Sequence, residues 1–537
     1  MATLNFKGKS FVQNHHLAVP YHELVPKKDK SLTDKVRLDD NIIVHGDNLK
    51  ALKALLPTYA GKVKCIYIDP PYNTGTENWV YNDNVNSPMI QEWLGKVVDR
   101  DDLTRHEKWL CMMMPRLKLI RELLRDDGSV FVSIDDNEQP HLRALMDEVF
   151  DEENFISTIV WQKRTSPDAR ATIGAAHDYI VAYAKNFQEF KTTLKPLPLS
   201  ADRKAAYQNP DNDPKGPWAS IDLTGQTGHA TKVQYYTIVG PDGTKYPPPK
   251  GRCWALAENT FKRLLSEGSI WFGKDGKGRP RLKRYLTEAE GTSPWTWWPH
   301  EETGHNQEAT QELNEILGKA DIFNNPKPVR LLKRIFQIAT SHDSLILDSF
   351  AGSGTTAHAT LAINKEDGGK RRFILVECED YADKITAERV RRVIKGVPKT
   401  SDEALKKGRG GSFSYFELGK PIELDGILDG KNLPSFTELA RYVFYTATGQ
   451  EFDEKKVDEK KFFIGSTKEY DVYLLYKPDV EFLKGTALTL ERARALGAKN
   501  GKRRLVFAPT KYLDQDQLDE FGIDFAQLPF EIYRLAE

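Results

Sequence analysis

No apolar run in the chain approaches the roughly 20 residues needed to span a bilayer. The first twenty residues, Met1 to Pro20, lack both an apolar core after a basic start and a small-residue cleavage site. These absences argue against a membrane role and set the expectation of a cytoplasmic protein. Cysteine is scarce: Cys65, Cys111, Cys253 and Cys378 lie far apart without a C-x-x-C pair. That pattern argues against a zinc ribbon and a disulfide framework, leaving reduced, mostly buried thiols. No G-x-x-x-x-G-K-[ST] string is present, so ATP-driven translocation by this chain is excluded. Histidines His15, His16, His177, His300 and His305 show no metal spacing, and the expectation is that no metal is used. Excess charge of either sign is also missing, because Lys plus Arg and Asp plus Glu each total 77. A nucleic-acid partner would therefore have to be held by local basic surface. The densest candidate is Gly273 to Tyr285, with Lys274, Lys277, Arg279, Arg281, Lys283 and Arg284 against a single Asp275. It reads either as a DNA-contacting surface or as a solvated hairpin or loop.

What is present is enough chain for two to four domains, 537 residues, with strands and helices alternating. Asn41 to Asn48 reads as a short buried strand, followed by a helix whose apolar face is Leu49, Leu52, Leu55 and Leu56. Cys65 to Ile68 continues a second strand. Thr104 to Glu107 has the form of a capping box opening a helix to about Arg125, in which Pro115 predicts a kink or break. Ser129 to Ile134, the run FISTIVWQK and the run HDYIVAYAK supply three more strands, with a helix at Gln139 to Phe150 between them. Such alternation predicts an α/β fold with a mainly parallel sheet. From about 190 to 300 the texture turns to proline, glycine and basic residues, as in an inserted domain. Helical patterning resumes at Gln307, and Pro328 marks another helix start. The expected organisation is a lead-in at 1–38, an α/β domain at 39–190 and 301–400, an insertion at 191–300, and a small C-terminal α/β domain at 412–537. In the last, YDVYLLY, RRLVFAP and FEIYRL are the strand candidates.

After the strand ending near Asp348, Phe350-Ala351-Gly352-Ser353-Gly354-Thr355-Thr356 makes a glycine turn that opens a helix, and Glu377 ends the next strand. Glycines let backbone approach a ligand at a helix N-terminus, and a carboxylate there can accept from ribose hydroxyls. NAD and S-adenosylmethionine both satisfy that geometry. A dehydrogenase normally opens with this strand, whereas here several strands and the string Asp69-Pro70-Pro71-Tyr72 precede it. The exocyclic amine of a base is a poor nucleophile because its lone pair is delocalised into the ring. Two fixed acceptors, the Asp69 carboxylate and a main-chain carbonyl best placed at Pro70, could draw that pair back onto nitrogen. The prolines hold the carbonyl rigidly. Tyr72 offers a flat face to a base extruded from the duplex.

With these motifs in this order the chain resembles the amino-methylating DNA methyltransferases of the β order, in which DPPY precedes a target-recognition domain and F-x-G-x-G follows it. HGDNLKALKAL, DPPYNTG, VYNDNVNSPMI, LTRHEKWLCMMMPRLKL, VSIDDNE, WQKR, HDYIVAYAKN and WWPHEETGHNQEA resemble in particular the Mod subunits of Type III restriction-modification systems. The resemblance implies a Rossmann-like S-adenosylmethionine-dependent domain carrying an inserted target-recognition domain. It implies catalysis by Asp69, Pro70, Pro71 and Tyr72, and a cofactor turn of Phe350, Ala351, Gly352, Ser353, Gly354 and Thr355, with Glu377 on the ribose. Asp47 matches an acid near the cofactor adenine or catalytic pocket, and reads equally as a helix N-cap. Lys327 stands in Asn-Pro-Lys-Pro where Thr-Pro-Lys-Pro is usual, as a methionine-side contact or a surface lysine. The implied activity is site-specific, adenine-specific DNA methylation of duplex DNA by base flipping, in a homodimer that can associate with a restriction (helicase/nuclease) subunit. The DNA would be read by the basic cluster and aromatics such as Trp218. None of the four cysteines follows a proline, which argues against thiolate attack on cytosine C5. In the family the chain resembles, serine commonly replaces the DPPY aspartate in N4-cytosine enzymes, so with Asp69 the resemblance implies adenine. A solitary or Type II adenine or N4-cytosine enzyme, a non-catalytic DNA-recognition subunit and an NAD oxidoreductase remain as alternatives.

Overall fold

The computed structural model describes residues 4–74, 105–167, 172–289, 291–320, 322–422, 433–496 and 501–528. Gly75, the run 80–90, the Thr104 cap and the strand candidate FEIYRL lie outside the described residues. The chain divides into two compact units, Met1–Lys195 with Trp295–Glu537, and Pro196–Pro294.

The first unit is organised by a ten-stranded sheet: β1 (His22–Pro26), β2 (Ile42–His45), β3 (Val63–Ile68), β4 (Leu124–Ile134), β5 (Phe155–Gln162), β6 (His177–Ala184), β7 (Trp297–Trp298), β8 (Leu345–Asp348), β9 (Arg372–Glu377) and β10 (Ser414–Pro421). Their spatial order is β1-β10-β2-β9-β8-β3-β4-β6-β5-β7. The central run from β10 to β4 is parallel, while β6 is antiparallel to both its neighbours. Every residue of β3 and β8 is buried, as expected of strands covered on both faces by helices. Ile346 pairs with Cys65 and Leu347 with Ile66, so β3 and β8 finish side by side. From β3 the chain continues to one side of the sheet and from β8 to the other, which makes their shared end the topological switch point where ligands of such sheets bind.

Helices α1 (Asn48–Tyr59), α2 (Arg105–Leu123), α3 (Gln139–Phe150), α4 (Val329–Ala339), α5 (Thr355–Asp367) and α6 (Glu388–Lys395) flank this sheet. The expected break does not occur: α2 is one continuous element around Pro115. A proline costs an interior helix about 3 kcal/mol, and the buried Trp109, Met112, Met113, Leu117 and Ile120 outweigh it at roughly 1.5–3 kcal/mol for each such side chain.

Two boundaries differ from those expected. Part of the 1–38 lead-in is not irregular, since β1 pairs antiparallel with β10, and β10 belongs to the large sheet rather than to a C-terminal domain beginning at 412. Without them β2 would leave a row of unpaired amides beside the buried Ile42, Ile43 and Val44. C-terminal to β10, Phe463–Ser466, Tyr470–Leu474, Arg503–Ala508 and Ile523–Gln527 form a separate four-stranded sheet in chain order.

The second unit has a three-stranded antiparallel sheet of Ile270–Trp271, Arg281–Tyr285 and Trp218–Asp222, two short ribbons, and a core including Leu223, Trp254, Phe261 and Phe272. The basic stretch Gly273 to Tyr285 is therefore the end of a hairpin. Lys274, Lys277, Arg279, Arg281 and Arg284 are exposed, but Lys283 is not. Its ammonium is buried between Asp211 at 2.6 Å and Asp213 at 2.5 Å. Strand alternation puts Arg284 on the face opposite Lys283, and Arg281 shares the Lys283 face but lies exposed at the start of the strand; Lys283 is withdrawn as a DNA contact. Trp218 is likewise 4% exposed and donates to Asp211 at 2.9 Å; it is core rather than recognition surface.

Candidate active site

A cavity of about 340 Å³ opens at the carboxyl ends of β3 and β8. Asp69, Pro70 and Tyr72 line it from the β3 side, and Phe350, Ala351, Gly352, Ser353 and Thr355 from the β8 side. Asp135, Lys163, Arg164, Asp178, Lys327 and Asp348 complete its charged lining. Asp69 is placed by its strand, and the loop after it is tied down from α2, where the Trp109 indole donates to the Pro71 carbonyl at 2.7 Å. Asn73, left-handed at φ 58°, donates to the Arg105 carbonyl at 3.1 Å.

Lys327 Nζ donates to Asp69 Oδ2 at 2.5 Å and stands 5.2 Å above the Tyr72 ring. Lys327 is thus neither a surface lysine nor, in this structure, committed to the glycine turn. Asp69 Oδ1 and the Tyr72 hydroxyl are buried, and neither completes a hydrogen bond. Burial first, then the neighbouring Asp69 charge, holds the Tyr72 hydroxyl well above its ordinary range, so it is neutral. Asp178 pairs with Lys163; burial raises its carboxyl, opposed by the Lys163 and Lys327 charges.

The glycine turn is held from beneath. Gly352 and Gly354 adopt φ 51° and 80°, the latter capping α5. A side chain at 354 would bring a Cβ within 3.1 Å of the Thr386 carbonyl, which explains a glycine there. Asp348 accepts from the Phe350 amide at 3.0 Å and the Thr356 hydroxyl at 2.6 Å. Full burial pushes its carboxyl up to about 7. From α6 the buried Arg389 donates to the Ser353 and Thr355 hydroxyls at 2.9 and 2.8 Å. Arg389 is drawn down to about 10 by burial and stays charged near neutrality.

Glu377 sits against the turn but 2% exposed, accepting from the amides of Gly352 at 2.7 Å, Cys378 at 2.9 Å and Glu379 at 3.0 Å. It is not among the cavity-lining residues. Burial raises its carboxyl to about 7. Asp47 caps α1 by accepting from the Lys50 amide at 3.0 Å and is not among the cavity-lining residues. Its neighbour Asn48 instead reaches the turn, donating to the Ser349 carbonyl at 3.1 Å while accepting from Arg116 at 2.6 Å.

Sequence reasoning missed Asp348, Asp178, Lys163, Arg389 and Asn48. Asp348 ends the strand before the glycine turn, as Asp69 directly follows β3, and that parallel was a readable signal. The buried Arg389 had none, because an arginine in a charged helix reads as surface.

A profile of the DNA methylase family matches residues 63–388. The chain is 32% identical over 473 residues to the StyLTI Mod subunit, a Type III restriction-modification enzyme of Salmonella typhimurium, covering 83% of this chain and 70% of that one. It is 32% identical over 461 residues to the EcoPI Mod subunit of Escherichia phage P1, covering 76% and 70%. With the Type II methyltransferase M.KpnI of Klebsiella pneumoniae it shares 31% identity over 356 residues, covering 62% and 79%.

Proposed function

The chain belongs to the DNA methylase family, and from that premise we propose that it is the modification subunit of a Type III restriction-modification system, methylating the N6 amine of adenine at a specific site in duplex DNA. The observation that carries this reading is the single cavity lined by Asp69, Pro70 and Tyr72 on one side and by Phe350 to Ser353 and Thr355 on the other.

The residues fit S-adenosyl-L-methionine. A left-handed glycine turn at a helix N-terminus gives close backbone approach, Glu377 braces that turn through the Gly352 amide, and Lys327 is the cation suited to a ligand carboxylate. When bound, the cofactor supplies an electrophilic methyl on sulfur. The chain's own residues do the rest. The Tyr72 ring stacks on the extruded adenine, contributing about 1–3 kcal/mol against an extrusion cost of a few kcal/mol. Asp69 Oδ1 and the Pro70 carbonyl accept the two amine hydrogens and turn the nitrogen lone pair toward the glycine turn.

Residues 196–294 read the DNA sequence, with Lys274, Lys277, Arg279, Arg281 and Arg284 as phosphate or base contacts. The protein acts in the cytoplasm as a homodimer that associates with a restriction subunit. Among the described residues no helix is long and apolar enough to cross a membrane. The test is expression in a host free of DNA methylation, followed by sequencing for modified bases beside an Asp69→Ala control. N6-methyladenine at one short motif, lost in the control, is the expected result. N4-methylcytosine, or no modification with a protein that still binds duplex, overturns it.

A further inference from the structure

Outside the cavity, three side chains converge on one point. Glu138, immediately before α3, is wholly buried; His141 lies one turn further on the same helix face; His106 comes from the start of α2. His106 Nδ1 is 2.8 Å from Glu138 Oε1, and His141 Nδ1 is 2.9 Å from Glu138 Oε2. The two imidazole centroids are 4.6 Å apart, and ligating atoms of all three residues lie within 4.8 Å of one another. The first contact is an ordinary hydrogen bond. The second is not: Glu138 Oε2 and His141 Nδ1 are both buried and both without a hydrogen-bond partner, although they are at hydrogen-bond distance. Two buried polar atoms thus lie side by side with unused hydrogen-bonding capacity, next to the second imidazole.

We propose that His106, Glu138 and His141 bind one divalent cation of the zinc type. Two imidazoles and a carboxylate are the donor set favoured by zinc, cobalt and nickel rather than by magnesium or calcium. Small side-chain adjustments bring the three donors to the distances of about 2.0–2.2 Å that zinc requires, with water completing four-coordination. Both histidines are 36% exposed, so the ion has access. Asn73 connects this site to the chemistry, since it also donates to Glu138 Oε1, at 2.5 Å, and directly follows Tyr72. The cation thereby anchors the loop after Asp69 without touching substrate, and the site stands whether or not the chain transfers methyl groups.

The test uses the full-length protein, freed of its affinity tag and treated with chelator. Titration with zinc followed by calorimetry should show one equivalent bound, and cobalt should produce the visible absorption of a tetrahedral nitrogen and oxygen site. His141→Asn should weaken binding about 10-fold to 100-fold or more, and His106→Asn together with His141→Asn should abolish it. Asparagine keeps a side-chain donor toward Glu138, so the loop anchor survives; unchanged far-ultraviolet dichroism confirms folding of each variant. No saturable binding, or equal binding by the wild type and both variants, overturns the proposal and leaves a hydrogen-bonded latch.

Discussion

Lys327 Nζ and Asp69 Oδ2, 258 positions apart in the chain, lie 2.5 Å from each other at the mouth of the switch point between β3 and β8. The lysine thus satisfies one oxygen of the carboxylate and leaves Asp69 Oδ1 buried without a hydrogen-bond partner. A charge-assisted hydrogen bond contributes about 1.5–3 kcal/mol. If Lys327 gives one to the cofactor carboxylate, Lys327→Met weakens cofactor binding roughly 10-fold to 150-fold. Asp69→Asn leaves the lysine free and keeps or improves that affinity, while kcat falls about 100-fold to 1000-fold through loss of the charged acceptor. Calorimetry with S-adenosylmethionine, beside single-turnover transfer to duplex DNA, separates the two effects.

Tyr72 presents a ring to the cavity and a hydroxyl with no hydrogen-bond partner. Tyr72→Phe should therefore transfer methyl groups within a few-fold of wild type. Tyr72→Ala loses a stacking contribution of about 1–3 kcal/mol, raising the KM for DNA roughly 5-fold to 150-fold. Placing 2-aminopurine at the target position and reading its fluorescence reports extrusion directly, and equal signals from both variants would contradict the stacking role.

Gly354 combines φ 80° with a Cβ position 3.1 Å from the Thr386 carbonyl. Gly354→Ala incurs backbone strain of about 1–3 kcal/mol. The expected result is a melting temperature lowered by a few degrees and cofactor affinity reduced about tenfold or more, measured by thermal unfolding with and without S-adenosylmethionine. Gly501, with φ 78° and nothing near its Cβ position, is the control, and Gly501→Ala should leave cofactor affinity unchanged.

Asp348 and Glu377 both have carboxyls raised to about 7 by burial. The folded state therefore holds protons that the unfolded chain has already released above its ordinary carboxylate range. The stabilisation they give is complete below about pH 4 and is lost as pH rises through about 7, with a slope of about 1.4 kcal/mol per pH unit for each proton held. Across pH 5 to 7.5, Asp348→Asn should show a flatter decline of denaturant midpoint than wild type. An identical slope would show that Asp348 is ionised in the fold.

Much of the site was legible in short windows. Asp69-Pro70-Pro71-Tyr72 and Phe350 to Thr355 declare themselves because acceptor chemistry, fixed φ and left-handed glycines are properties of adjacent residues, and the α/β alternation follows from apolar periodicity. Lys283 was misread because a basic run looks solvated until pleat direction and two aspartates elsewhere in the chain turn one member inward. The helix is not broken at Pro115 because a local helix penalty is small beside the burial of the side chains around it.

By itself the sequence determined the local chemistry: which residues can accept, which can stack, where the backbone can turn tightly, and which segments become strand or helix. Tertiary structure alone decided that β3 and β8 are parallel neighbours, that Lys327 meets Asp69, that Arg389 reaches the glycine turn, and that two histidines share one buried glutamate. Those juxtapositions join residues far apart in the chain. They arise from the packing of the whole sheet and its helices, whose free energy is summed over many side chains and is visible in no single window of sequence.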